Sequence, residues 1–236
     1  MVAADRWPFT RFRRLDVVTR HWDLEWSPGR TVPLVTEGAG STAVVLAHGA
    51  GAGQAHAFMV GMRQRLAAGL SVTTFDYPYK AAGRRAPDRM EILLECHQAV
   101  ASAVAAGADR LVLGGKSMGG RMASHLAEPA AAARFFLGYP LMPIGKTEPR
   151  DTSHLDQVTT PMLFVQGERD RLGPPVMLAP IIARLGTASM VVVPDADHSY
   201  TVPKKSGVSA DRMLDRVAGI VVAWLAKVLV QRSGAS

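Results

Sequence analysis

Short strand-like runs and longer helix-like segments alternate in the pattern of apolar and polar positions along the chain. Buried strands are predicted by apolar runs at 42–47, 71–75, 110–113, 133–137, 162–166 and 188–193. Helices are predicted by longer periodic segments at 55–68, 88–106, 121–127, 175–185 and 210–230. This alternation predicts an α/β fold, a mostly parallel sheet with helices on both faces. No repeat or long linker interrupts the 236 residues, so we predict one domain with an irregular segment at about 1–15.

Polar and glycine-rich sequences follow several predicted strands, where ligands bind in open parallel sheets. Gly115-Lys116-Ser117-Met118-Gly119 comes directly after the run at 110–113 and before a helical segment. Gly-x-Ser-x-Gly between strand and helix is the pattern of a nucleophile elbow, a tight turn that exposes a serine hydroxyl. A plain glycine-rich turn is the simplest alternative. A phosphate-binding loop is disfavoured, because that motif requires glycine at position 110, where the chain has Arg110.

The loop after the first predicted strand of this pattern is also glycine-rich, His48-Gly-Ala-Gly-Ala-Gly53. Acyl transfer needs backbone N–H donors that stabilise the oxyanion of the tetrahedral intermediate. We assign the donors to the amides of Ala50 and of Met118, the residue after the serine. A dinucleotide-binding loop is the alternative, but its last glycine is replaced by Gln54, and Asp76 is the nearest candidate for its acid.

An acid and a histidine follow two later strands. Asp170 ends Gly-Glu-Arg-Asp after the run at 162–166, and His198 follows the run at 188–193. The chain order Ser117, Asp170, His198 is that of the α/β-hydrolase triad, in which the histidine takes the serine proton and the carboxylate orients the imidazole. Two other loop histidines and a second acid compete for these roles: His56, His154 and Glu168. The other histidines and the acids beside His198 are predicted to be structural or solvated: His21, His48, His97, His125, Asp195 and Asp197.

Charge and cysteine content limit the function classes. The net charge is +7, but the 21 Arg and 6 Lys are scattered and no RNA-binding module is visible, so no nucleic-acid partner is expected. Cys96 is the only cysteine, which excludes an internal disulfide and fits the cytoplasm; we predict a buried structural thiol. No secretory signal is visible, and the longest apolar stretch, 217–230, is too short to span a bilayer.

Together, His48-Gly-Ala-Gly, Gly115-Lys-Ser-Met-Gly-Gly, Gly-Glu-Arg-Asp170 and Asp-His198 resemble the α/β-hydrolase superfamily near its small dienelactone-hydrolase-like members. Over about 40–230, further motifs such as Phe75-Asp-Tyr-Pro-Tyr79 and Phe164-Val-Gln-Gly167 resemble the bacterial branch of a narrower family. That family includes testis-expressed hydrolase-like proteins and a subunit of the NSL histone-acetyltransferase complex. The resemblance implies an eight-stranded, mostly parallel sheet, a Ser-His-Asp mechanism without metal or cofactor, and little or no cap.

The sequence therefore predicts a serine hydrolase that cleaves a small ester or thioester through an acyl-Ser117 intermediate. The competing hypothesis is a non-catalytic scaffold, since some members of the narrower family serve as subunits of assemblies. Five further residues are candidates for binding substrate, the first three through an anionic group and the tyrosines as pocket walls: Lys116, Arg84, Arg85, Tyr77 and Tyr139. The sequence does not indicate the oligomeric state.

Overall fold

A computed structural model describes residues 18–127 and 129–231; the segment predicted to be irregular, 1–15, lies outside them. Eight strands form one sheet in the order β1-β2-β4-β3-β5-β6-β7-β8. They are β1 Thr19–Ser27, β2 Arg30–Glu37, β3 Thr42–Ala47, β4 Ser71–Phe75, β5 Arg110–Lys116, β6 Ala133–Leu137, β7 Met162–Gly167 and β8 Ala188–Val193. The pairs β1–β2 and β2–β4 are antiparallel and the remaining pairs are parallel. The predicted α/β architecture is confirmed.

The six helices among the described residues are α1 Ala57–Leu66, α2 Pro78–Ala81, α3 Met90–Ala105, α4 Met118–His125, α5 Pro175–Arg184 and α6 Ala210–Gln231. Alternate residues of each central strand face opposite sides of the sheet. Val44 and Leu46 of β3 pack in the cluster that contains buried residues of α1 and α6. Val45 and Ala47 pack in the cluster that contains buried residues of α3, α4 and α5. Helices therefore cover both faces, as predicted.

The antiparallel hairpin β1–β2 is absent from our pattern-based prediction, which begins the sheet at position 42. Trp22, Leu24 and Trp26 occupy alternate positions of β1, and all three pack against the core. Gly29 makes the turn at a positive φ of 70°, which glycine adopts without strain. The alternation of apolar and polar residues in β1 is the signal that predicts a strand here. Our prediction used continuous apolar runs, and the polar residues of β1 interrupt such a run.

Two predictions about single features can be compared directly with this fold. Cys96 lies in α3 and is fully buried, and burial raises the pKa of its thiol to about 12, so it is an unreactive structural cysteine as predicted. Within the described part of the chain, no helix combines the length and apolar character needed to cross a bilayer.

Candidate active site

The turn between β5 and α4 places Ser117 at the carboxyl edge of the sheet. Its backbone has φ 51° and ψ −116°, a conformation that non-glycine residues rarely adopt and that marks a strained functional turn. Two backbone hydrogen bonds hold it: the Ser117 N–H donates to Leu137 O at 2.9 Å, and the Arg121 N–H donates to Ser117 O at 3.0 Å. The strained backbone lifts the serine side chain out of the sheet edge.

Glycines on both sides of the serine allow this turn to pack. A Cβ atom on Gly115 would lie 2.3 Å from the carbonyl carbon of Gly119 and from the Gly120 nitrogen. A Cβ atom on Gly119 would lie 2.4 Å from the carbonyl oxygen of Ala47 in β3. The obstructing atoms are backbone, which cannot move aside as a flexible side chain can. The nucleophile-elbow geometry that the sequence predicts is therefore present.

The loops after β7 and β8 bring an acid and a histidine to this serine. The His198 Nε2 atom lies 2.9 Å from Ser117 Oγ, and Nδ1 lies 2.8 Å from Asp170 Oδ2. The carboxylate accepts a hydrogen bond only from a protonated Nδ1, which leaves Nε2 free to accept the serine proton. The three side chains that the sequence predicts as a triad thus form one continuous hydrogen-bonded chain.

Asp170 is buried at 1% exposure and held by four donors. Oδ2 accepts from His198 and from Gln166 Nε2 at 2.7 Å, and Oδ1 accepts from the backbone N–H groups of Leu172 at 2.8 Å and Gly173 at 3.1 Å. Such hydrogen bonds compensate for the burial of the carboxylate and fix its orientation. Gln166 also accepts from the Tyr139 N–H at 2.9 Å, so it links the loops after β6 and β7. Gln166 is not among the predicted site residues, and its only signal in the sequence is that it is a polar residue inside an apolar strand.

The glycine-rich loop after β3 lies directly against the elbow. A Cβ atom on Gly49 would be 3.5 Å from Ser117 Cβ. Among the described residues, the backbone N–H groups of Ala50 and Met118 have no hydrogen-bond acceptor. His48 braces the loop, since its Nδ1 lies 2.8 Å from Gly49 O and its Nε2 accepts from the Tyr77 N–H at 3.1 Å. The loop that carries Ala50 and the residue after the serine therefore each offer an amide without an acceptor, and their role as oxyanion donors stays a prediction.

The comparisons with known proteins agree with this geometry. A family model for the alpha/beta hydrolase domain matches residues 40–226, more than three quarters of the chain. The chain belongs to this alpha/beta hydrolase family. A search of curated proteins finds no match.

Several solved structures share the hydrolase fold. XC6422 from Xanthomonas campestris, described as an α/β serine hydrolase without a lid, superposes with a TM-score of 0.69 at 19% identity, over 89% of this chain and 94% of that one. Est1E from Butyrivibrio proteoclasticus gives 0.71 at 13% identity, over 89% and 99%. A candidate dienelactone hydrolase from Klebsiella pneumoniae gives 0.68 at 19% identity, over 90% and 99%. At these identities the likeness concerns the fold.

The residues that compete for the triad roles are engaged elsewhere in the hydrolase domain. His56 Nδ1 accepts from the Phe58 N–H at the start of α1. His154 stacks on His125 with ring centroids 3.5 Å apart, and burial lowers the pKa of each to about 4. Glu168 accepts from the Asp195 N–H at 2.8 Å and so braces the His198 loop. Within residues 18–127 and 129–231, no three His, Cys, Asp or Glu side chains converge as metal ligands would.

The prediction that Tyr77 and Tyr139 line a substrate pocket is wrong in this fold. Tyr77 is fully buried and Tyr139 is 1% exposed, and both belong to the core beneath the loops. The Tyr77 hydroxyl lies 3.0 Å from His97 Nδ1, and the Tyr139 hydroxyl lies 3.4 Å from His154 Nε2. Position after a strand does not reveal the direction of a side chain, and apolar rings with one polar tip are buried wherever that tip finds a partner.

The three basic candidates differ in their surroundings. Arg84 is exposed and pairs with Asp88 at 2.7 Å, and Arg85 is exposed beside it. Lys116 instead directs its side chain toward the triad: its Nζ lies 5.8 Å from the centre of the Tyr200 ring, and Tyr200 is the second residue after His198. Binding of an anionic substrate by these three residues stays a prediction.

An open cavity of about 620 Å³ borders the triad on the His198 side. Its walls are the loops after β7 and β8, and they include Arg171, Leu172, Pro174 and His198. The loop after β6 adds only the short 3₁₀ turn Ser153–Gln157 before β7, in place of a cap domain. Among residues 18–127 and 129–231, no inserted helical domain covers the loops that carry the triad.

Tyr79 supports the glycine-rich loop after β3, because its hydroxyl donates to Ala50 O at 2.8 Å. Burial raises the pKa of Tyr79 to about 12, so the hydroxyl retains its proton throughout the working pH range. We expect Tyr79→Phe to lower kcat by about 3- to 10-fold with little change in KM, as the loss of one positioning bond worth about 1 kcal/mol implies. Steady-state kinetics with a neutral ester measures this. The aromatic ring stays in place in this variant, so its unfolding midpoint should change little. A rise in KM with an unchanged kcat would contradict the assignment.

Proposed function

We propose that the protein is a serine hydrolase that cleaves small esters or thioesters through an acyl-Ser117 intermediate. The single observation that supports this most is the chain of hydrogen bonds from Ser117 Oγ through His198 to Asp170, at 2.9 and 2.8 Å. A serine hydroxyl is a weak nucleophile at neutral pH, and an adjacent base that is itself oriented by a carboxylate activates it.

In the acylation step, Ser117 Oγ attacks the carbonyl carbon while its proton passes to His198 Nε2. The negative charge that develops on the carbonyl oxygen is held by the N–H groups of Ala50 and Met118, each worth about 3 kcal/mol of barrier. Asp170 keeps the Nδ1 proton in place and stabilises the imidazolium. When the tetrahedral intermediate collapses, the bond to the leaving alkoxide or thiolate breaks and His198 returns the proton to it.

In the deacylation step, a water molecule enters the position that the leaving group has vacated. His198 takes one proton from this water, the resulting hydroxide attacks the acyl carbon, and the same two amides hold the second oxyanion. Breakage of the bond to Ser117 Oγ releases the carboxylic acid, and His198 returns the proton to the serine. The open cavity that His198 helps to line lies beside the triad and is compatible with the passage of a small leaving group and of water.

Features of the sequence support three narrower proposals, on the family branch, the cellular location and the class of substrate. The motif resemblance favours the small dienelactone-hydrolase-like enzymes and, within them, the branch with testis-expressed and NSL-complex relatives. The single buried cysteine favours a reducing, cytoplasmic location. Small-molecule esters are favoured over peptides because no additional domain screens the open site among the described residues.

A fluorophosphonate probe tests the proposal. We expect wild-type protein to be labelled covalently at Ser117 within minutes, because the probe mimics the tetrahedral intermediate and needs both the activated serine and the oxyanion donors. Ser117→Ala should show no labelling, and His198→Ala should be labelled roughly 10³-fold more slowly or worse, both measured by intact-protein mass spectrometry. Folded wild-type protein that resists the probe would instead support the competing hypothesis of a non-catalytic scaffold.

A further inference from the structure

The side chain of Lys116 lies close to the triad, and both lie close to Gly138. Lys116 is the last residue of β5, directly before the nucleophile. The ammonium group of Lys116 lies near Gly138, in the loop after β6, because a Cβ atom on this glycine would be 3.2 Å from Lys116 Nζ. The same point is 3.4 Å from Asp170 Oδ2 and 3.4 Å from His198 Cε1. The lysine nitrogen therefore lies within about 7 Å of both triad side chains, close enough for strong charge coupling.

Glycine at position 138 is what permits this close grouping. Its φ of 66° lies in the left-handed region, and it is anchored by its N–H, which donates to Val165 O at 2.9 Å. Any side chain here would project into the space between the ammonium, the carboxylate and the imidazole. Because glycine has no side chain, that space is not filled from position 138, and the ammonium, the carboxylate and the imidazole remain within about 7 Å of one another.

The groups that face the ammonium come from the loops after β7 and β8. They are Asp170, Asp197, His198 and the ring of Tyr200. Within the described residues, no carboxylate forms an ion pair with Nζ at 4 Å or less. Burial lowers the pKa of Lys116 to about 8, against the opposing effect of Asp170 and Asp197. The lysine is therefore a cation at neutral pH that no single acid neutralises.

We propose that Lys116 is a positioning residue for the base: its ammonium charge opposes protonation of His198 and so keeps the imidazole able to accept the serine proton at lower pH. Asp170 alone would favour the imidazolium, since a carboxylate at 2.8 Å stabilises a positive charge. A cation within about 7 Å offsets part of this effect. The inference rests on the proposed function, in which His198 must start each acylation as a neutral base.

The proposal predicts a specific dependence on pH. At a separation of about 6.5 Å, the upper limit that the distances around Gly138 allow, an effective dielectric constant of about 20 to 80 corresponds to a shift of roughly 0.5 to 2 pH units. We expect Lys116→Met to move the acid limb of the profile for labelling by a neutral fluorophosphonate to higher pH by this amount. Above about pH 9 the wild-type ammonium has lost its proton, so the rates of wild-type and variant should converge. A variant that is merely damaged would be slower at every pH.

Two matched variants make the test specific to charge. Lys116→Gln removes the charge and keeps a polar side chain, so it should reproduce the shift of Lys116→Met and serves if that variant does not fold. Lys116→Arg keeps the charge, since a guanidinium stays protonated at all working pH values, and should retain the wild-type acid limb. Equal acid limbs in wild-type protein and both neutral variants would overturn the proposal.

A second measurement separates this inference from the proposed function. The imidazole titration of His198 can be followed by NMR in the free protein, with the signal assigned by its loss in His198→Gln. We expect its midpoint to rise in Lys116→Met and Lys116→Gln and to stay in Lys116→Arg. If wild-type protein is never labelled but the midpoint still rises, the electrostatic coupling stands and the proposed function fails. If labelling occurs and the midpoint does not move, only the role of Lys116 is refuted.

The alternative role for Lys116 is to bind an anionic group of the substrate. If Lys116 binds an anionic group of the substrate, Lys116→Met should lower kcat/KM for an anionic ester much more than for a neutral ester of the same size. If it acts on His198, both esters should lose activity equally at any pH below the pKa of Lys116, about 8. A selective loss on the anionic ester, with no movement of the acid limb on the neutral one, would contradict the proposal.

Discussion

Replacement of Ser117 by alanine is expected to lower kcat/KM for a neutral ester by about 10⁵- to 10⁶-fold while the fold is retained. Removal of a triad nucleophile in other serine hydrolases leaves only the contribution of the oxyanion donors and of binding, and losses of this order result. Ser117 Oγ makes its hydrogen bond to His198 and is not part of the hydrophobic core. The Ser117→Ala substitution should therefore abolish activity without lowering stability.

Steady-state hydrolysis and chemical denaturation of the same preparations measure the two quantities. Alanine has a Cβ atom as serine does, so the strain of a φ of 51° is the same in the variant. The free energy of unfolding should therefore change by less than about 1 kcal/mol. Ser102→Ala, at an exposed position of α3, is the matched control and should leave both quantities unchanged. A Ser117→Ala protein that retains more than about one hundredth of the wild-type rate, a generous limit of roughly 3 kcal/mol in barrier, would show that another group is the nucleophile.

Replacement of Gly115 by alanine is expected to reduce the free energy of unfolding by about 3 kcal/mol, the upper part of the usual range for overpacking. The new methyl group would lie 2.3 Å from backbone atoms of Gly119 and Gly120, so β5 and α4 would have to separate. Because α4 carries the turn that presents Ser117, activity should also fall at temperatures where the variant is still folded.

Gly51→Ala is the appropriate comparison for this variant. Gly51 lies in the loop after β3, and a Cβ atom placed on it meets nothing within 4 Å. Its backbone also does not adopt a positive φ. The free energy of unfolding, measured with urea for both variants, should change by less than about 0.5 kcal/mol for Gly51→Ala. Equal destabilisation of the two variants would mean that the elbow tolerates a side chain and that the glycine pattern has another cause.

The elements that sequence analysis predicted are those whose signal is local. The strands at 42–47, 71–75, 133–137 and 188–193 have the predicted bounds. In β3 and β6, which are buried on both faces, a largely apolar run marks the strand. The elbow could be identified for a related reason, since steric crowding within five consecutive residues dictates its two glycines. The β1–β2 hairpin was not predicted, because one of its faces is more exposed and its apolar residues alternate with polar ones.

The direction of individual side chains was less predictable. Tyr77 and Tyr139 follow strands, as pocket residues do, yet both lie in the core because His97 and His154 supply partners for their hydroxyl groups. Gln166 was not recognised because its two partners, Asp170 and the backbone of Tyr139, belong to different loops. In each case the deciding contact joins residues that belong to different elements of the fold.

By itself, the sequence determined the α/β class, the elbow and the order of Ser117, Asp170 and His198 along the chain. These depend on the period of apolar residues and on local backbone sterics, both of which involve only residues that are close together in the sequence. Only the tertiary structure decided that the three side chains lie within hydrogen-bond distance and that the ammonium group of Lys116 lies near them, beside Gly138. Distances between separate loops depend on how the strands pair, and charge coupling depends on those distances and on burial; neither is encoded in any single stretch of residues.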